Sequence, residues 1–83
     1  MNMIRDELVR ILGETVVIHA ENLPDSLFAE RKWERLPELV QHSEKLHRLG
    51  LFEARRSFLL GVEPQLRILL VRHLLDTQMV SSL

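Results

Sequence analysis

The sequence predicts an all-α protein, a small antiparallel helical bundle of four to five short helices completed by oligomerisation. Three observations lead there. Apolar residues recur at helical spacing along most of the chain. Apolar residues make up 46% of it and aromatics only 5%, so the core is aliphatic, the usual filling of helix bundles. Pro24, Pro37, Gly50, Gly61 and Pro64 cut the chain into pieces of helix length.

The first element spans residues 3–21. Ile4, Leu8, Ile11, Leu12, Thr15, Val16, Ile18 and His19 gather on one broad face at 3.6 residues per turn, with Asp6, Arg10, Glu14 and Glu21 opposite. Asp6 and Arg10 stand in the acid-first, four-residue order that favours a helical ion pair. Gly13 followed by β-branched residues could read as a short strand. No second strand-like stretch exists to pair with it, so a helix is expected throughout.

Residues 22–26, NLPDS, break the chain: Pro24 disfavours helix at Leu23, and Asp25 or Ser26 can cap the next helix. That helix is expected to be short, over about 26–34, with Phe28 and Trp33 clamping it to the core. Pro37 suits a first turn, so a longer helix should come after it over about 37–49, a single kinked helix across both pieces being the alternative. Its buried face is Leu36, Leu39, Val40, Leu46 and Leu49, with Ser43 and His47 between them. Glu44 and Arg48 form a second acid-first pair. Gly50 closes this helix. Residues 51–60 resume, with Phe52, Phe58, Leu59 and Leu60 apolar and Glu53, Arg55 and Arg56 outward.

The last helix, over residues 65–80, has two apolar faces rather than one. Leu66, Leu69, Leu70, Leu74 and Val80 fall on one side; Ile68, Val71, Leu75 and Met79 fall roughly opposite. Arg67 and Gln78 form one dividing strip, and Gln65, Arg72 and Asp76 the other. A helix apolar nearly all round is normally buried. An 83-residue chain has few helices with which to surround one of its own. A domain this small buries only roughly 60–65% of the surface its unfolded chain exposes. The second face is therefore expected to meet another protein chain through Ile68, Val71, Leu75 and Met79, with Arg72 at the rim; the alternative is a monomer in which the last helix is central and both faces are buried. The partner would be the chain itself, as a homodimer or higher, or a larger protein.

Other function classes find little in the sequence. There is no cysteine, so disulfides and thiolate metal sites are excluded. Histidines 19, 42, 47 and 73 are scattered; one Glu-x-x-His spacing, at Glu44 and His47, falls short of the two copies a di-iron bundle uses. Serines 26, 43, 57, 81 and 82 lack a glycine-flanked elbow, and the three glycines are isolated, so no phosphate loop exists. Neither enzyme nor cofactor nor small-molecule substrate is expected.

Eleven basic and twelve acidic residues leave a net charge of −1. Nothing global draws the chain to nucleic acid or an anionic membrane. The alternative reading is a small dimeric transcriptional or nucleic-acid-binding regulator using Arg31, Lys32, Arg35, Arg55 and Arg56. Glutamates 30, 34 and 53 interrupt those clusters. The N-terminal segment carries charges where a secretory signal needs an apolar run, and the longest apolar runs fall far short of the ~20 residues of a membrane span. A single cytoplasmic domain over 1–83 is expected.

Within residues 46–64, LHRLGLFEARRSFLLGVEP, Ala54, Phe58 and Gly61 fall at small–aromatic–small spacing. In this the segment resembles half of a tetratricopeptide repeat, which implies a helical hairpin that binds protein segments. Pro64 comes earlier than the family pattern places it, and such arrays need about three units, so the likeness stops short of membership. The function expected is a small non-enzymatic interaction module: an adaptor, regulator or chaperone-like protein.

Overall fold

In a computed structural model, residues 3–24 and 34–81 are described, with side chains for 4–24 and 34–76. Among these residues the chain is all-α, with no strand. The helices are α1 (Met3–Leu12), α2 (Glu14–Glu21), α3 (Leu36–Arg48), α4 (Phe52–Gly61) and α5 (Pro64–Ser81). The helix expected over 26–34, with Phe28 and Trp33, lies outside the described residues.

The single helix expected over 3–21 is in fact two. Gly13 sits at φ 94°, ψ 154°, a region open essentially to glycine alone. Its N–H still bonds Val9 O at 2.8 Å, closing α1, and its carbonyl starts α2 by accepting from Val17. The bend lets α2 fold back on α1 and present Val17 and Ala20 to the core. Thr15 and His19, read as part of the apolar face, are exposed, because the bend turns α2 about its axis relative to α1. The β-branched run is helical all the same: packing outweighs a propensity penalty of a few tenths of a kcal/mol per residue. A bidentate ion pair clasps the two helices, Arg5 Nε and Nη2 donating to Glu21 at 2.9 and 3.1 Å.

Helix α3 takes Pro37 into its first turn and buries Leu36, Leu39, Val40, Ser43 and Leu46 as one stripe. At its end the N–H of Leu51 bonds Leu46 O and that of Gly50 bonds His47 O, both at 3.0 Å. These two bonds with Gly50 at φ 70° make a Schellman motif, which needs a left-handed residue at that point. Leu49, expected on the buried face, is instead 59% exposed. It caps the helix, and the turn carries it out of the stripe. Neither expected acid-first pair forms: Arg10 lies over the Phe52 ring, 5.2 Å from its centroid, and no ion pair joins Glu44 to Arg48 among the described residues.

Helix α5 is central and packs against α1, α2 and α3, most extensively against α2. Leu66, Leu69, Leu70, Val71, Leu74 and Leu75 are all buried. At ~100° per residue they cover roughly 240° of the helix circumference. Of the two polar strips expected along it, the one with Gln65, Arg72 and Asp76 remains at the surface. Of the other, the Gln78 side chain lies outside the described residues and Arg67 is half-buried. Arg67 turns to the C-terminus of α4, where Nε donates to Leu59 O at 2.9 Å and Nη2 to Leu60 O and Val62 O at 2.8 Å. Carbonyls without helical partners are satisfied this way. The Cα radius of gyration, 12.0 Å, matches the ~12 Å of a compact chain of this length.

Candidate functional site: a buried arginine cluster, an apolar groove and an exposed turn

Three features stand out once the helices are placed. The first is polar. Arg55, read from the sequence as outward, is completely buried on α4. Its Nε donates to Ser43 Oγ at 3.0 Å, and its Nη1 lies 3.1 Å from Glu7 Oε2. The same carboxylate oxygen lies 2.8 Å from His47 Nδ1. Helices α1, α3 and α4 thus meet at one cluster. Ser43 and His47 are four apart on α3, so both reach it from one face. With a proton on Nδ1, His47 donates to Glu7 and cannot also accept from Arg55 Nη1, 3.4 Å away. Arg55 Nη2 is buried without a partner among the described residues, and an unmet donor of this kind costs about 1–3 kcal/mol. The hydroxyl of Ser43 is wholly buried and accepts from Arg55, so it is not presented as a nucleophile. The chemistry this arrangement performs is charge pairing between helices.

One signal for this cluster was present in the sequence. Ser43 interrupts an otherwise aliphatic stripe, and a buried hydroxyl needs a partner. Nothing marked Glu7 or distinguished Arg55 from its neighbour Arg56.

The second feature is a groove of about 410 Å³ between the start of α3, the end of α4 and the start of α5. Leu39, Phe58, Val62 and Leu66 supply its apolar lining, and Arg35 and Glu63 bring opposite charges to it. The His42 ring meets Phe58 edge-on, centroids 4.6 Å apart. Arg35 and Glu63 make no ion pair among the described residues.

The third is the turn at 49–51, where Leu49 and Leu51 are 59% and 46% exposed on a backbone held by the two Schellman bonds. Ile18 and Leu60 are the other large apolar side chains left open among the described residues.

Of the residues expected at an interface, two are buried in the core. Val71 and Leu75 are 0% and 5% exposed, within the core cluster, and Ile68 packs half-buried against it. Arg72 bonds Leu23 O at 2.6 Å through Nη1 and Asp76 at 2.9 Å through Nε. The side chain of Met79 lies outside the described residues. Val71 and Leu75, on the face expected to stay open, are covered within their own chain, where α1, α2 and α3 pack around α5. Of the cationic set for nucleic acid, three residues are described. Arg55 is buried against Glu7, Arg56 is exposed 3.8 Å from Glu53, Arg35 borders the groove, and Arg31 and Lys32 lie outside the described residues. In the segment compared with a tetratricopeptide repeat, Ala54 and Gly61 are exposed and Phe58 is half-buried.

The Arg5 guanidinium, by hydrogen bonding and then by its charge, holds the Glu21 carboxyl below its ordinary range, and Glu21 raises Arg5 in return. Among the described residues no three His, Cys, Asp or Glu side chains gather as a metal-binding group, and no helix is long and apolar enough to cross a membrane.

Comparison with protein-family models, with curated proteins and with solved structures found no match to this chain.

Proposed function

We propose that this chain is a non-enzymatic protein-interaction module that associates with another protein chain, in the first place a copy of itself. One observation carries the reading: two leucines project from a turn whose backbone is already fixed by hydrogen bonds. Burying a leucine is worth about 1.5–3 kcal/mol. A preorganised turn loses little further freedom when it docks, so more of that gain survives as affinity. In this reading the helices form an antiparallel bundle complete within one chain, and association adds to the bundle instead of finishing its core. The surface used is therefore the exposed turn and not α5.

The test is the absolute mass in solution by light scattering after gel filtration, over a hundredfold range of concentration. We expect the mass to climb from 9.8 kDa toward twice that value as concentration rises. A constant monomer mass at every concentration sinks the reading.

A further inference from the structure

The leucines of the turn need an apolar seat if they are to drive association. We propose that the groove between α3, α4 and α5 receives the 48–53 turn of a second copy of this chain, and that the exchange is reciprocal. The inference rests on the interaction reading above and gives it a site.

Charge is the first support. The turn segment reads RLGLFE: an exposed Arg48, then Leu49 and Leu51, then an exposed Glu53. Arg48 makes no ion pair among the described residues, and Glu53 has only the distant Arg56 there, at 3.8 Å with both side chains in solvent. The groove offers the complement. Beside its apolar side chains the lining holds Ser57 and Gly61, and its charged members are Arg35 and Glu63, neither ion-paired among the described residues. Seating the leucines over Leu39, Phe58, Val62 and Leu66 allows Glu53 to meet Arg35 and Arg48 to meet Glu63. Opposite charges across an interface set register and orientation.

Distance is the second support. The groove lies at the start of α3 and the turn at its end. Thirteen residues separate them, about 20 Å of helix. A chain cannot place its own turn in its own groove. A second copy can, and two copies with their α3–α4 hairpins side by side and reversed place each turn in the other's groove. Such a two-fold pair is closed and self-complementary. The same contact made without closure would give open chains.

The experiment measures the self-association constant of the full chain by sedimentation equilibrium, with circular dichroism to confirm that helix content is kept. Leu49→Asp with Leu51→Asp should weaken association about a hundredfold or more, about 2.7 kcal/mol or more by the tenfold-per-1.4 kcal/mol conversion. Arg35→Glu alone should weaken it about tenfold. Arg35 stands at the N-terminal edge of α3, where an acid suits the helix dipole, so this change spares the fold. Adding Glu53→Arg to Arg35→Glu should restore association, since every copy then carries both halves of the reversed pair. If the leucine variant associates as well as the parent, neither the turn nor its seat in the groove is the interface, and self-association runs through another surface. Failure of the charge swap to restore binding likewise overturns the seating. A parent chain that stays monomeric overturns both.

Discussion

Two regions of this protein bury side chains by opposite means. Around α5 the interior is aliphatic: Leu66, Leu70, Leu74, Val71 and Leu75 belong to one cluster with Leu8, Val17 and Leu39. At the junction of α1, α3 and α4 the interior holds a buried guanidinium, a carboxylate, a hydroxyl and a half-open imidazole. The aliphatic region gains from every contact and has little directional demand. The polar junction gains only when its members are all in place, because each charge left alone in the interior is costly. One region supplies cohesion. The other sets how three helices face one another, a role its geometry suits and mutation can test.

The comparison can be broken at either end. The largest effect should come from Leu70→Ala at the completely buried centre of α5. It should cost about 2–5 kcal/mol in urea unfolding, the range for a leucine cavity that cannot collapse. A cost under about 1 kcal/mol would mean that α5 is not the centre of the core. Next comes Arg55→Met, which leaves Glu7 only His47 as its partner in the cluster and should cost about 3 kcal/mol. The sharper experiment adds Glu7→Leu to it. If the cluster contributes orientation more than cohesion, the double variant should recover most of the loss, because removing both charges removes the desolvation penalty with them. Additive losses in the double variant would show that the pair is strongly stabilising in itself.

Backbone geometry gives a smaller effect. Gly13→Ala should cost about 1–3 kcal/mol, the strain of holding an L-residue at φ 94°. A Cβ there meets nothing within 4 Å, so the whole cost is conformational. Gly61→Ala is the control: that site is helical, equally open and not at positive φ, so alanine should be neutral or mildly stabilising.

The smallest effect is electrostatic and sits outside both regions. Arg5 lowers the folded-state pKa of Glu21. A depressed carboxylate contributes stability that is fully present above its ordinary unfolded value and lost as pH falls through the lowered folded value. Stability should therefore drop on the acid side of about 4.5, the ordinary value. Arg5→Gln should flatten that part of the pH profile. Solvent screens this exposed pair, so the change should be small. An identical acid limb in the variant would remove Glu21 from the account.

Much of the helix layout was legible because it depends on local chemistry. Pro37 in a first turn, Gly50 at a helix end and Pro64 opening the last helix act through their own backbones. The stripe of α3 was legible for a related reason: i, i+3, i+4 spacing shows the buried side without reference to a neighbour. The bend at Gly13 was less so. The glycine was visible, but a helix tolerates one at modest cost, and only the packing of α2 onto α5 makes the break worth its strain. Arg55 and Arg56 make the limit plain. They are identical in type and adjacent in sequence, and one is fully buried while the other is in solvent.

The sequence by itself determined that this is a helical protein with an aliphatic core, where most of its helices start and stop, and that the last helix is apolar around most of its circumference. Those properties arise from side-chain size, periodicity and the φ preferences of proline and glycine, which act within a few residues. Only the tertiary structure decided what covers that last helix, which of two neighbouring arginines goes inside, and which leucines stay out. Each of those depends on groups distant in the chain coming into contact, as Glu7 does with Arg55 and Leu23 with Arg72. Burial is a property of the assembled neighbours, and no single residue carries it alone.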